Sequence, residues 1–216
     1  MRLYSMVYAS DEGALNEWLA RGPVINAGGA KLTVRSIKVQ ADGALGSRTA
    51  WLHAPYTDAP NTAGVLTYDL DALSALIRDS REDNWQINVH AIGDRANSEV
   101  LGVFAPFTAA DEDHRFRIEH AQHLRLGDGP LFAKQGVIAS MQPIHISSDR
   151  PWAIDRLGQQ RIEEGAYIWR DLLNAGVIGA SGTDAPVEPV DPIANFYAAV
   201  TRKTLKGVPE TGFEPA

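Results

Sequence analysis

A chain of 216 residues that is 44% hydrophobic and 22% charged has the composition of one folded domain, which excludes a disordered or fibrous protein. Twenty Lys and Arg against 27 Asp and Glu leave a net charge of −7, so the electrostatic footprint of a nucleic-acid binder is missing. Zero cysteines exclude disulfides and thiolate metal sites and leave His, Asp, Glu or a modified Lys as metal ligands.

In chain order, apolar runs alternate with helix-like segments, the pattern of a parallel sheet with crossover helices, and the fold class is α/β. Strands are predicted over 2–8, 32–40, 85–90, 115–120, 136–142 and 177–181. Helices are predicted over 12–21, 69–81, 94–107, 131–135, 163–175 and 192–202, with Gly136 and Gly176 placed where a left-handed cap is wanted. Two connections, 43–67 and 144–163, are rich in Pro, Gly, Asp and aromatic residues and read as active-site loops. No apolar run approaches the roughly 20 residues of a membrane span. The N-terminus lacks a signal-peptide layout, so a cytoplasmic setting is expected.

Several strands end on a polar or ionisable residue: Lys38, His90, His120, Gln142 and, just beyond the last, Asp184. In parallel α/β sheets the active site is built at the C-terminal strand edge, so residues collecting there read as chemistry. Two imidazoles and a carboxylate suit Zn²⁺ and related divalent ions, although any one histidine alone is more often a hydrogen-bonded structural residue.

The segments IKVQADGALGSRTAWLHAPY, INVHAIGDRAN, RFRIEHAQHL, GVIASMQPIH and SGTDAPVEPVDPIANFYAAVTRK occur in the order and spacing of the metal-dependent amidohydrolase superfamily. The chain resembles its YtcJ-like branch, amidohydrolase family 3, which includes N-substituted formamide deformylases. The resemblance implies a partial TIM (β/α)₈ barrel, roughly strands 3 to 8, as a single domain over 1–216 truncated at both ends. It implies that His90 and His120 are metal ligands ending the fifth and sixth barrel strands. Asp184 resembles the eighth-strand aspartate, which binds metal and takes a proton from the attacking water. Lys38 falls at the fourth-strand lysine, often carboxylated to bridge two metals, with an ordinary Lys38–Asp42 ion pair as the alternative. The family's first-strand His-x-His pair is not in this chain, whose earliest histidine is His53; the pair is expected upstream. The chain alone is then expected to bind metal through Lys38, His90 and His120 and to catalyse poorly or not at all.

The activity this implies is hydrolysis of C–N bonds in amides or N-formyl compounds by a metal-activated water, with one or two divalent ions, zinc first, as cofactor and a small amide-type molecule as substrate. The alternatives are a catalytically inactive fragment or another hydrolase or deaminase of the superfamily. Neither nucleic acid nor membrane is expected as a partner, and homo-oligomerisation stays open.

Other residues divide between chemistry and structure. His145 is a candidate to hydrogen-bond the substrate carbonyl or an oxyanion, or is a loop histidine. Arg48 faces substrate or makes a salt bridge. The loop GALGSRT lacks the Lys-Ser/Thr ending of a phosphate loop. Asp94 and Arg95 read as helix capping and local pairing. Glu119, preceding His120, is expected on the opposite strand face in a packing or supporting role. His114 and His123 are expected to be solvent-exposed, and Trp51, Tyr56 and Trp152 to line a pocket or fill a loop core. Trp18, Trp85 and Trp169 are expected to pack.

Overall fold

The computed structural model describes residues 1–108 and 113–214. Strands β1 (Leu3–Tyr8), β3 (Leu32–Gln40), β4 (Gln86–Ala91), β5 (Arg117–His120), β6 (Ile138–Met141) and β7 (Gly179–Ser181) lie side by side in chain order, every pair parallel. The expected α/β class is therefore observed. A short β2 (Val24–Asn26) pairs antiparallel with β3 and leads into the turn α2 (Ala27–Ala30), where Gly28 and Gly29 adopt left-handed backbone. Neither carries enough residues for a hydrophobic period to be read from sequence.

Helices α1 (Glu12–Arg21), α3 (Leu70–Ser80), α4 (Asp94–Phe104), α5 (Asp128–Gln135), α9 (Trp169–Asn174) and α10 (Pro192–Thr201) fill the remaining predicted positions. Their starts follow capping chemistry. Asp11, Asp69 and Asp191 each accept a hydrogen bond from a backbone N–H of the first turn, relieving donors that have no partner inside the helix. α3 packs on α4, α4 on α5 and α5 on α9, so the crossover helices succeed one another along one face, as in an arc of a β/α barrel.

The strand pleat sorts side chains between the two faces. Ile37, Val39, Ile87, Val89 and Ile118 point outward and join Leu73, Ile77, Val100, Leu101, Phe104 and Phe132 of the helices in the main core. Lys38, Gln40, Asn88, His90, Arg117 and Glu119 occupy the other, concave face, which is why the strands carry polar residues within apolar runs.

The segment expected to be a loop over 144–163 is instead three short helices, α6 (His145–Ser148), α7 (Arg150–Leu157) and α8 (Gln159–Gly165). The expected helix over 163–175 is broken where Ala166 is extended and Tyr167 has φ 58°. These helices and the 43–67 segment bury a second core of their own, with Leu45, Leu52 and Tyr56 on one side and Ile146, Leu157 and Ile162 on the other. Arg161 donates to the carbonyls of Ala54 and Pro55, and Asp58 accepts from both Arg48 and Arg156. The two segments are thereby joined above the strand ends. Among the described residues no helix is long and apolar enough to cross a membrane.

Candidate metal and active site

A cavity of about 470 Å³ opens at the C-terminal ends of the strands and is lined by Lys38, His90, His120, His145 and Asp184 together. All five candidates singled out from the sequence thus meet in one place. Lys38 comes from β3, His90 from β4, His120 from the last position of β5, His145 from the first turn of α6, and Asp184 from the turn after β7.

His120 has φ 80°, a left-handed value that breaks the alternation at the end of β5. Glu119, in register with His90, lines the cavity, and so does His120 beside it. The expectation that Glu119 points away is corrected: it faces the site, and its carboxylate accepts from Arg117 Nε at 2.6 Å.

The His90 and His120 rings meet edge to face, with centroids 4.4 Å apart. His90 Nε2 lies 3.0 Å from the Gly43 carbonyl oxygen and 3.3 Å from Asp42 Oδ1. Both are acceptors, so Nε2 carries a proton, and in the neutral ring Nδ1 keeps the lone pair. His120 Nδ1 lies 2.8 Å from Gln142 Oε1, while Gln142 Nε2 donates to the Ser140 carbonyl and so fixes the amide. His120 therefore donates through Nδ1 and keeps its lone pair on Nε2. A metal-binding histidine is oriented in this way, by an acceptor on its second nitrogen. Burial, reinforced by the electrostatic influence of the neighbouring His90, Lys38 and His145, holds His120 well below the usual imidazole range and so in the neutral, ligating form.

Burial also lowers the Lys38 pKa, against the opposing charges of Glu119 and Asp184. Its ammonium reaches the Val39 carbonyl at 3.4 Å. Asp42 is occupied otherwise, by the backbone N–H groups of Trp51, Ile92 and Gly93, so the Lys38–Asp42 ion pair considered from sequence is not what holds either residue. The donor set fits a divalent cation: two neutral imidazoles with free lone pairs, a lysine displaced toward its neutral form, and a carboxylate on one cavity wall. Among the described residues no three His, Asp or Glu side chains are gathered closely enough to hold a metal by themselves.

The His145 ring lies nearly parallel to that of His120, with centroids 6.3 Å apart, and its Nε2 is buried without a hydrogen-bond partner. Asp149, one turn further on, also lines the cavity, as does Trp152. Burial pushes the Asp149 carboxyl up, against His145 and the hydrogen bonds of Ser148 and Gln122. The sequence reading did not single out Asp149, because helical geometry through 145–157 was not anticipated there.

The remaining candidates are structural. Arg48 forms a two-pronged pair with Asp58 at 3.0 and 2.8 Å. Tyr56 is buried and donates to the Ala50 carbonyl, and Trp51 stacks under the Arg95 guanidinium. Asp94 accepts from the backbone N–H of His53 and of Arg95, as a helix-start residue should. His123 is buried rather than exposed, and His114 is half-buried with Nε2 at 2.8 Å from the Gln135 carbonyl. The exposure expected of both is corrected: the turn after β5 carries His123 inward against α4 and α8, and His114, just before β5, lies against the end of α5 and the Phe116 ring.

Fold and site together define an α/β partial barrel with its chemistry at the C-terminal strand ends. Residues 6–214 match the family described as "Amidohydrolase family", and the chain belongs to it. It is 42% identical over 172 residues to YtcJ of Bacillus subtilis (strain 168), covering 78% of this chain and 32% of that protein. It is 35% identical over 190 residues to protein LONG AFTER FAR-RED 3 of Arabidopsis thaliana, covering 87% and 30%. A crystal structure of an uncharacterized metal-dependent hydrolase from Pyrococcus horikoshii OT3 superposes with a TM-score of 0.80 at 32% identity, over 94% of this chain and 39% of the other. The counterpart from Pyrococcus furiosus gives 0.80 at 31%, over 92% and 40%. The chain spans about a third of the length of the curated relatives it matches.

Proposed function

We propose that this chain supplies the histidine and lysine side of the metal centre in a hydrolase that cleaves C–N bonds of amides or N-formyl compounds. The observation that carries the reading is the pair His90 and His120: adjacent rings, each with one nitrogen held by a protein acceptor and the other left as a lone pair at the cavity. His90, His120 and Lys38, with Asp184 from the turn after β7, would hold the cation. Zinc is the first candidate, because imidazole and carboxylate donors without thiolate suit it and the fold places them at the cavity end of the strands. When bound, the metal supplies Lewis acidity and a water of lowered pKa.

The chain's own groups do the rest. Asp184 accepts a proton at its carboxylate and passes it to the departing nitrogen. His145 Nε2, buried and unpartnered, meets the substrate carbonyl oxygen and steadies the charge that develops there. Leu45, Ile92 and Trp152 make the apolar part of the wall and limit water around the reacting bond. The reading is tested by zinc titration in a calorimeter. Tight binding that is lost in His90→Ala supports it, and absence of binding by the intact protein overturns it.

A further inference from the structure

Asp42 is fully buried, two residues beyond the end of β3, and no part of the proposed chemistry uses it. Its carboxylate is surrounded by three backbone donors from two stretches of the chain, residue 51 and residues 92–93. Oδ2 accepts from Trp51 N and from Gly93 N, each at 2.8 Å, and Oδ1 accepts from Ile92 N at 3.0 Å. Oδ1 also lies 3.3 Å from His90 Nε2. A buried carboxylate is costly unless every lone pair is met, and here the donors include the residue that opens α4, where the helix dipole favours negative charge. The segments brought together are the end of β4, which carries His90, the start of α4, and the 43–67 segment, which carries Leu45 and Gly46 of the cavity wall.

We propose that Asp42 is the positioning residue of this site: it holds His90 as the Nε2–H tautomer, keeps Nδ1 turned to the cavity, and couples that orientation to the closed arrangement of the 43–67 segment. The carboxylate and the Gly43 carbonyl present negative oxygen to the same ring nitrogen, so a proton on Nε2 is favoured and a lone pair there is disfavoured. Turning the ring over would replace Nε2–H by Cε1–H at those oxygens and forfeit the hydrogen bond. The inference rests on the metal-site reading for its purpose, but the tautomer itself belongs to the metal-free protein.

The test is nitrogen NMR of the intact, metal-free protein with labelled histidine, followed by zinc titration of Asp42→Asn. Wild-type His90 is expected as the Nε2–H tautomer and His120 as the Nδ1–H tautomer. In Asp42→Asn the His90 signals should move toward a mixture of tautomers while those of His120 stay in place, and zinc affinity should fall by about 10–100-fold. A wild-type His90 that is already mixed or Nδ1-protonated overturns the proposal, whether or not the variant folds. So does a folded variant whose His90 tautomer and zinc affinity are unchanged, since a purely architectural carboxylate would lower the unfolding midpoint and nothing else. Wild-type protein that shows the expected tautomer but binds no zinc removes the hydrolase reading and leaves the role of Asp42 intact.

Discussion

Single residues decide which nitrogen faces the cavity. Gln142 sets this for His120, because its amide is fixed at both ends, by His120 Nδ1 at 2.8 Å and by the Ser140 carbonyl at 3.2 Å. Replacing it by Ala takes away the acceptor without touching either ligand. Zinc affinity in Gln142→Ala should drop by about 10–100-fold, and a calorimetric titration that finds it unchanged would show that the amide does not orient the ring. Asp184 is the opposite case, a group expected to act on protons more than on metal retention. Asp184→Asn keeps the shape and an oxygen donor but loses the basic site, so turnover of the intact enzyme should fall by about 10²–10⁴-fold with zinc content nearly preserved. Metal analysis beside steady-state kinetics on an amide substrate separates the two quantities.

At the scale of elements, the site is held by the way the 43–67 segment is pressed against the start of α4. Gly93 makes that approach feasible: a Cβ there would sit 2.0 Å from the Trp51 carbonyl oxygen, which itself accepts from the backbone N–H groups of Arg95 and Ala96. Gly93→Ala must push two backbones apart and should destabilise the protein by about 3 kcal/mol, read as a lower urea midpoint with an unchanged slope. The same elements show what a sequence discloses. Lys38, His90 and His120 were legible because each ends or interrupts an apolar strand, and a parallel sheet brings strand ends together. Glu119 was misplaced because alternation was carried through His120, whose positive φ no pattern of residue types announces. Asp42 was underrated because its partners are main-chain amides at 51, 92 and 93, which all residue types except proline possess. The helices of 145–165 were read as loop because each is too short to show a hydrophobic period, and their common core with Leu45 and Tyr56 is formed only by tertiary contact.

Across the whole molecule, stability should depend on acid pH through His123. The ring is wholly enclosed between the end of β4, α4 and α8: the His123 backbone N–H donates to the Ile92 carbonyl, the His123 backbone carbonyl accepts from Asn97 Nδ2, and a Cβ on Gly165 would lie 3.1 Å from the imidazole. Burial pushes its pKa down to about 4, with Asp94, 3.8 Å from Nε2, opposing. An exposed histidine in the unfolded chain titrates near 6.5, so below that pH the unfolded state takes up a proton that the folded state refuses. The neutral ring's contribution is therefore complete above about pH 6.5, declines as pH falls, and is fully lost below about pH 4. A displacement of this size amounts to about 3 kcal/mol between the two limits. His120, also held low by burial, acts in the same direction, so the effect of one ring has to be isolated by substitution. His123→Gln keeps a polar, non-titrating side chain of similar reach. It should be less stable than the wild type at pH 7.5, where the neutral ring fills the enclosed space, and the gap in unfolding free energy should narrow steadily between pH 6.5 and pH 4. Parallel stability curves for the two proteins across that range would mean that water or a counter-charge reaches the ring, and that the turn after β5 is not the closed joint between α4 and α8 that it is taken to be.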